Sequence, residues 1–228
     1  MKLVKWEELP EWMKCEEVQI YYNILSKKKV QLFLKRMFDV LLSSLLLVIL
    51  LPVMLVCGIW IKLDSKGPVL FRQIRITQYG RSFYICKFRT MVNDAEKKGN
   101  SLTFENDSRI TRVGEKIRKY RIDEIPQLFN VLVGDMTFVG TRPEVKKYVK
   151  KYTNEMKATL LLPAGITSEA SIEFKDEDKL ISKSSNPDIT YIDEILPIKM
   201  KYNLRGIKKV GLIYDLRVCI KTVMGVLR

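Results

Sequence analysis

The chain contains no histidine. That absence removes Ser-His-Asp triads, Cys-His dyads and every histidine-based zinc site together. Cysteine is scarce too. Cys15, Cys57, Cys86 and Cys219 stand far apart with no CxxC pair, which speaks against a disulfide framework and suits reduced, buried thiols. Acid-base or nucleophilic work is left to Asp, Glu, Lys, Tyr, Ser or Cys. Acidic residues are themselves outnumbered, 26 against 40 basic ones, for a formal charge of +14. Such an excess implies an anionic partner, whether nucleic acid, an acidic membrane leaflet or phosphate-rich substrates; a generally basic soluble surface is the bland alternative. No repeat, low-complexity tract or Gly/Pro/Ser-rich boundary divides the chain. One compact domain with appendages is therefore expected.

Charge is missing altogether from residues 40 to 61, the 22-residue run VLLSSLLLVILLPVMLVCGIWI. As a straight helix it would measure roughly 33 Å, enough to cross a hydrocarbon core. It begins too far into the chain, and lacks a small-residue cleavage site, to be a signal peptide. A buried core helix would not need so long an uncharged run. Two features oppose a simple crossing. Pro52 removes a helix hydrogen bond just past the middle. The flanks are basic on both sides, with Lys27, Lys28, Lys29, Lys35 and Arg36 before and Lys62, Lys66, Arg72 and Arg75 after. Basic flanks mark the cytoplasmic side, so a re-entrant helix bent at Pro52 is favoured over a straight span. Ser43 and Ser44 lie too early to serve the bend directly.

Elsewhere the pattern is coarser. In residues 1–34, Trp6, Trp12, Tyr21 and Tyr22 suggest helices at a membrane interface, or equally aromatics packed onto the domain. Residues 69–76 and 82–88 read as strands of a hairpin turning at Gln78-Tyr79-Gly80. Residues 93–109 look loop-like. Residues 113–133 are helical, interrupted at Pro126, which can open a second helix. Residues 212–227 form an amphipathic helix carrying Leu216, Cys219, Ile220, Val223, Met224 and Leu227 on one stripe, either on a membrane or against the core. The expected fold is α+β and mostly helical. It comprises an N-terminal extension (1–34), a re-entrant membrane helix (35–63) and one cytosolic domain (64–228) with a small β-hairpin and amphipathic interfacial helices.

The stretch RKYRIDEIPQLFNVLVGDMTFVGTRP, residues 118–143, carries the candidate chemistry. Asp123 and Glu124 are adjacent carboxylates among Arg118, Lys119 and Arg121. Such a pair is most often a solvated salt-bridge cluster. Here apolar residues surround it and Gly134, Gly140 and Arg142-Pro143 follow. Glycine permits close backbone approach and arginine offers a planar fork for phosphate oxygens.

These blocks, with KRMFD at 35–39, FRQIR at 71–75, KFRTM at 87–91 and SRITRVG at 108–114, resemble the bacterial sugar transferases. These are monotopic phosphoglycosyl transferases that prime capsule, exopolysaccharide, O-antigen and some glycoprotein pathways. The resemblance runs from Lys35 to the C-terminus. It implies a ping-pong reaction in which Asp123 attacks the sugar-proximal phosphate of a UDP-sugar, UMP leaves, and undecaprenyl phosphate takes the phosphosugar. It implies Mg2+ at Asp123 and Glu124, and phosphate binding by Arg118 and Arg142, with Lys87 and Arg89 of the KFRTM block as further candidates. It also implies a place on the cytoplasmic face of the inner membrane, among anionic lipids and downstream glycosyltransferases, with no nucleic acid. The chain departs from the family pattern at Leu51, where Ser often precedes the membrane proline, and at Thr77, where Gly is common. Thr141 replaces the first Pro of GPRP, and PAGITSEASIEFKDED at 163–178 replaces PGITGWAQ. Two rivals are a glycosyltransferase, whose metal-binding DxD finds only Asp176-Glu177-Asp178, and a membrane-anchored module binding nucleic acid, for which the interleaved basic and aromatic pattern is missing.

Overall fold

The computed structural model describes residues 1, 3–93, 95, 107–182, 184 and 186–227; most of the expected loop at 93–109 lies outside them. The uncharged run forms the body of one long helix. After α1 (Glu16–Ser26), α2 runs from Lys29 to Asp64 and stays helical through Pro52. Its 36 residues correspond to roughly 54 Å of rise. Only 11% of its most apolar 18-residue window is buried, and it is long and apolar enough to cross a membrane.

The buried face of α2 is a narrow stripe. Leu42, Leu46 and Leu50 pack against one core cluster, and Met54, Cys57 and Ile61 against the next. That is the i, i+4 spacing of a single helix face. Leu41, Leu45, Val48, Ile49, Val56 and Ile59 lie outside it, exposed.

Three polar side chains fasten the start of α2 to the rest of the domain. The Lys35 ammonium donates to the Asp215 carboxylate at 2.6 Å and to the Val139 carbonyl at 2.8 Å. Asp39 accepts from the Thr137 hydroxyl and the Phe138 amide. Arg36 donates to the carbonyls of Val131 and Leu132, the last turn of α4 (Gln127–Val133). Those carbonyls have no partner within their own helix. At the far end of α2, Arg89 plays the same part, donating to the carbonyls of Ser65 and Lys66.

Residues Leu70–Ile76 (β1) and Ser82–Phe88 (β2) pair antiparallel from Leu70↔Phe88 to Ile76↔Ser82. The turn at Gln78–Gly80 puts Tyr79 and Gly80 at positive φ. This is the hairpin read from the sequence. The side-chain amide of Asn130 on α4 serves the other edge of β2, accepting from the Cys86 amide and donating to the Tyr84 carbonyl.

A second, parallel pair joins β3 (Met136–Val139) to β4 (Ala164–Thr167). The pattern did not announce it, because every β3 side chain is buried and no alternation survives. Gly165 is required there: a Cβ on it would stand 2.2 Å from the Gly140 nitrogen. Thr77, the residue standing where the family commonly has Gly, ties the hairpin to this pair. Its hydroxyl donates to the Asp135 carbonyl and accepts from the Ala164 amide.

The remaining helices are α3 (Arg112–Lys119), α5 (Lys146–Val149), α6 (Glu169–Glu173), α7 (Glu177–Ser182), α8 (Pro187–Thr190), α9 (Leu196–Lys209) and α10 (Leu212–Leu227). The N-terminal segment joins their core. Leu9, Met13, Val18, Tyr21 and Leu25 are buried in one cluster with Leu161, Tyr191, Met200 and Leu204, and Trp6 packs edge-on to Tyr22. On α10 the domain side holds Asp215 and Val218, both buried. Leu216, Ile220, Val223 and Met224 of the predicted stripe are exposed, while its Cys219 packs against a core cluster.

Lys35→Met leaves the Asp215 carboxylate buried without its cation, and a broken buried pair costs about 3–5 kcal/mol. Denaturant unfolding of the purified protein in detergent should show that loss, and the double change Lys35→Met/Asp215→Leu should recover most of it.

Candidate active site

The carboxylate pair sits in the tight joint between α3 and α4. Thr111 caps α3 by accepting from the Gly114 amide. The helix ends at Tyr120, and Arg121 then adopts a left-handed backbone with φ 56°, uncommon for a residue with a side chain. That reversal permits a single 3-10 turn, Ile122–Glu124, before Pro126 opens α4. Both carboxylates end up buried, at 7% exposure for Asp123 and 9% for Glu124.

Burial alone would keep both neutral, but their neighbours divide them. Glu124 takes the cations. Its Oε1 accepts from Arg142 at 2.6 Å and from Lys87 at 3.0 Å, with Arg121 at 3.8 Å. Burial works to raise its pKa, yet Arg142 and Lys87 outweigh that and hold it well below the usual carboxylate range. Asp123 is shifted the other way. Burial raises it most and Glu124 adds to the rise, while Lys87, Arg118 and Arg121 act against both. Its Oδ1 is fully buried and has no hydrogen-bond partner among the described residues. Arg142 is pushed up, chiefly by Glu124, and Lys87 is pushed down, chiefly by burial. One carboxylate is thus fixed in an ion-pair net, while its neighbour presents an unengaged oxygen beside positive charge.

These residues lie on a broad cleft of about 2140 Å³. Its lining includes Leu46 and Leu50 of α2 and Ile125 beside the carboxylates, and also Glu144, Glu177, Tyr191 and Lys199.

The structure brings Asp123, Glu124, Lys87 and Arg142 together, with Arg118 close enough for its charge to act on Asp123. Arg89 lines the same cleft, and its guanidinium donates to the carbonyls of Ser65 and Lys66 and to the Asn93 side chain. Pro52 lies on the exposed side of α2. Sequence reasoning missed Arg121 as a site residue, although its place two positions before Asp123 was a usable signal. It also missed Lys199, which nothing in the local pattern marks.

No three His, Cys, Asp or Glu residues gather as a metal-binding group among the described residues. A magnesium ion does not require that. It commonly uses one or two carboxylates, substrate phosphates and water, and the unpartnered Asp123 Oδ1 beside Glu124 fits such a donor set.

A family model described as bacterial sugar transferase matches residues 30–228. Among curated relatives, a putative undecaprenyl-phosphate N-acetylgalactosaminyl 1-phosphate transferase of Bacillus subtilis is 42% identical over 60% of this chain and 78% of its own length. A UDP-N-acetylgalactosamine-undecaprenyl-phosphate N-acetylgalactosaminephosphotransferase of Aeromonas hydrophila is 44% identical over 54% of this chain, but only 29% of that protein is covered. A UDP-glucose:undecaprenyl-phosphate glucose-1-phosphate transferase of Klebsiella pneumoniae is 33% identical over 85% of this chain and 40% of its own length. The chain therefore spans less than half of two of these three proteins.

The lowered pKa of Glu124 has a thermodynamic consequence. A carboxyl whose folded pKa lies below its unfolded value, about 4.3 for Glu, contributes stability that is present above that value. The contribution is lost as pH falls through the folded pKa. In an Asp123→Asn background, where Glu124 titrates without its neighbour, Tm should fall on acidification below about pH 4.3. Adding Glu124→Gln should flatten that fall, each kcal/mol corresponding to about 2–4 °C. Thermal melts across pH, side by side, check it.

Proposed function

Because the chain belongs to the bacterial sugar transferase family, we propose that it moves a phosphosugar from a UDP-sugar onto undecaprenyl phosphate at the cytoplasmic face of a bacterial inner membrane. This would be a first membrane step in making a polysaccharide or protein-linked glycan. The observation that carries the proposal is the division of labour between the two carboxylates. Glu124 absorbs Arg142 and Lys87, leaving a buried Asp123 oxygen unengaged among cations.

In the first half-reaction an Asp123 oxygen attacks the phosphorus that bears the sugar. The bond from that phosphorus to the bridging oxygen breaks, and UMP leaves with the bridging oxygen and its electron pair. The phosphosugar remains on Asp123 as an acyl phosphate. In the second, a phosphate oxygen of undecaprenyl phosphate attacks the same phosphorus, forming a diphosphate and returning the carboxylate. A desolvated carboxylate is a stronger nucleophile than a hydrated one, and splitting the transfer eases each step. Arg142, Lys87 and Arg118 supply fixed positive charge around the reacting phosphate. Bound at Asp123 and Glu124, magnesium would neutralise diphosphate charge that otherwise repels the nucleophile.

The relatives' names supply the donor and acceptor classes. Support for a re-entrant, monotopic placement comes from α2 itself. Its start is anchored at Asp215 and Val139, its end at Arg89, and its inward stripe touches the domain in between. A helix held at both ends by one body keeps both ends on one side of a bilayer, in keeping with its two basic flanks. Leu46 and Leu50 of that helix line the same cleft as the carboxylates, which suits a polyprenyl chain.

The test is UMP release from UDP-sugars by detergent-purified protein with magnesium and undecaprenyl phosphate. Asp123→Asn should lower it on the order of a thousandfold or more. Full activity in that variant would sink the mechanism, and release of UDP in place of UMP would indicate a glycosyltransferase. The pH profile adds a second check. The reaction needs Asp123 ionised, and burial raises its pKa, so the acid limb of kcat/KM should lie above the ordinary Asp value of about 3.9. Lys87→Met removes a charge that favours the carboxylate and should move that limb higher still.

A further inference from the structure

Residues 141–144 connect β3 to α5 and carry Arg142. Among the described residues the Arg142 guanidinium makes one hydrogen bond, from Nη2 to Glu124 at 2.6 Å. One bond leaves the plane of a guanidinium free to turn, so its direction depends on the backbone that bears it. Pro143 fixes its own φ, whereas Thr141 has no ring to do so. Contacts from other elements complete the restraint. The Gly165 amide of β4 donates to the Thr141 carbonyl at 2.8 Å, and the Ile76 amide of β1 donates to the Glu144 carbonyl at 2.9 Å. Arg75 donates to the Pro143 carbonyl at 3.2 Å.

A further restraint is made by buried side chains that the proposed chemistry does not use. The Tyr191 hydroxyl donates to the Glu144 carboxylate. Behind it the Lys199 ammonium donates to Tyr191 at 3.2 Å and to Glu177 at 2.7 Å, and stands 4.0 Å from Glu144. Tyr191 opens a π turn, Tyr191–Ile195, ahead of α9, a local distortion frequent at functional sites. From this connectivity we propose that Glu144 and Tyr191, backed by Lys199, are positioning residues that hold the Arg142 guanidinium where it engages Glu124 and the reacting phosphate together. The inference rests on the phosphosugar-transfer reading.

Three physical points support it. Glu144 is joined to Arg142 through one proline, so a fixed Glu144 side chain leaves the arginine's backbone little freedom. Glu144, Tyr191 and Lys199 are all buried, and a buried carboxylate that loses its donor is costly, which makes the contact hard to give up. Burial, and after it the Glu144 charge, push the Tyr191 hydroxyl well above its usual range, so it keeps its proton and stays a donor. The guanidinium is a planar fork whose use on a phosphate depends on orientation. The Tyr191 ring also packs on Tyr148 of α5, with centroids 4.7 Å apart, which secures the chain just after Glu144.

The experiment is a double-mutant cycle on UMP release by the full chain in detergent, with magnesium, undecaprenyl phosphate and whichever of UDP-glucose and UDP-N-acetylgalactosamine turns over. Tyr191→Phe should lower kcat/KM on the order of tenfold. Arg142→Lys keeps the charge but loses the fork. In that background Tyr191→Phe should cost less than about twofold, because no oriented fork is left to misplace. Glu144→Gln, which still accepts from Tyr191, should keep most of the activity, whereas Glu144→Leu should behave like Tyr191→Phe. A purely structural role would cost the same factor whatever stands at 142, and that result overturns the proposal. Wild-type activity in Tyr191→Phe overturns it too, as does a Glu144→Gln variant no better than Glu144→Leu. If Tyr191→Phe does not fold, Tyr191→Phe/Glu144→Leu removes donor and acceptor together and carries the same comparison. A wild type that releases UMP from neither donor overturns the transfer reading and this inference with it, a result distinct from an active enzyme whose substitutions are additive.

Discussion

The geometry of the carboxylate joint depends on a set of buried polar contacts at the start of α2. Lys35, Arg36 and Asp39 lie within two turns of one helix, yet they reach three different elements: α10, the end of α4, and β3. Each contact satisfies a group that burial would otherwise penalise by several kcal/mol. Arg36 closes the C-terminal turn of α4, and the N-terminus of that helix abuts Glu124 through Ile125 and Pro126. An apolar helix with no place in a soluble core is thereby made continuous with the element that ends at the candidate nucleophile. Without those contacts, hydrophobic burial along one narrow stripe would leave the helix free to slide or rotate, because Leu, Val and Ile on its other faces are nearly interchangeable.

Adjacent carboxylates in a site this dry pose a problem of repulsion, and the fold resolves it by asymmetry. Arg142 and Lys87 come from opposite sides, one from the loop after β3 and one from β2, and both converge on the same oxygen of Glu124. The result pushes the two pKa values apart, as acid and base partners in many sites are separated by their environments. Position in sequence made the two residues look equivalent. Their different roles arise because the single 3-10 turn aims one at the arginine and leaves the other at the cleft.

Much of this was legible beforehand, for identifiable reasons. The hairpin followed from two apolar runs around a Gly-containing turn, and α4 followed from Pro126. Both are local signals, and both elements appeared where expected. Asp123, Glu124, Lys87 and Arg142 do meet, although only adjacent residues could be paired by inspection. The parallel β3–β4 pair was illegible because wholly buried strands show no alternation and its partner lies beyond a long connection. Arg89 looked like a phosphate ligand by its neighbours in KFRTM. Its guanidinium donates to carbonyls just after α2, a partnership that local sequence does not display. Lys199 was invisible because a lysine on an amphipathic helix is ordinarily solvated, and only tertiary packing buries this one.

The excess of positive charge can be resolved along the same lines. Arg36 and Arg89 donate to carbonyls in or just after the last turn of a helix. Lys35 and Lys199 are buried against carboxylates. Arg142, Lys87, Arg121 and Arg118 converge on one carboxylate pair, where four cations against two anions leave a local surplus. A surplus inside a low-dielectric cleft attracts anions far more strongly than the same charge spread over a wet surface. Net charge alone could not distinguish a nucleic-acid surface from a phosphate pocket. The geometry adds that Arg142 and Lys87 converge on one oxygen of Glu124, an arrangement that suits a compact, multiply charged group.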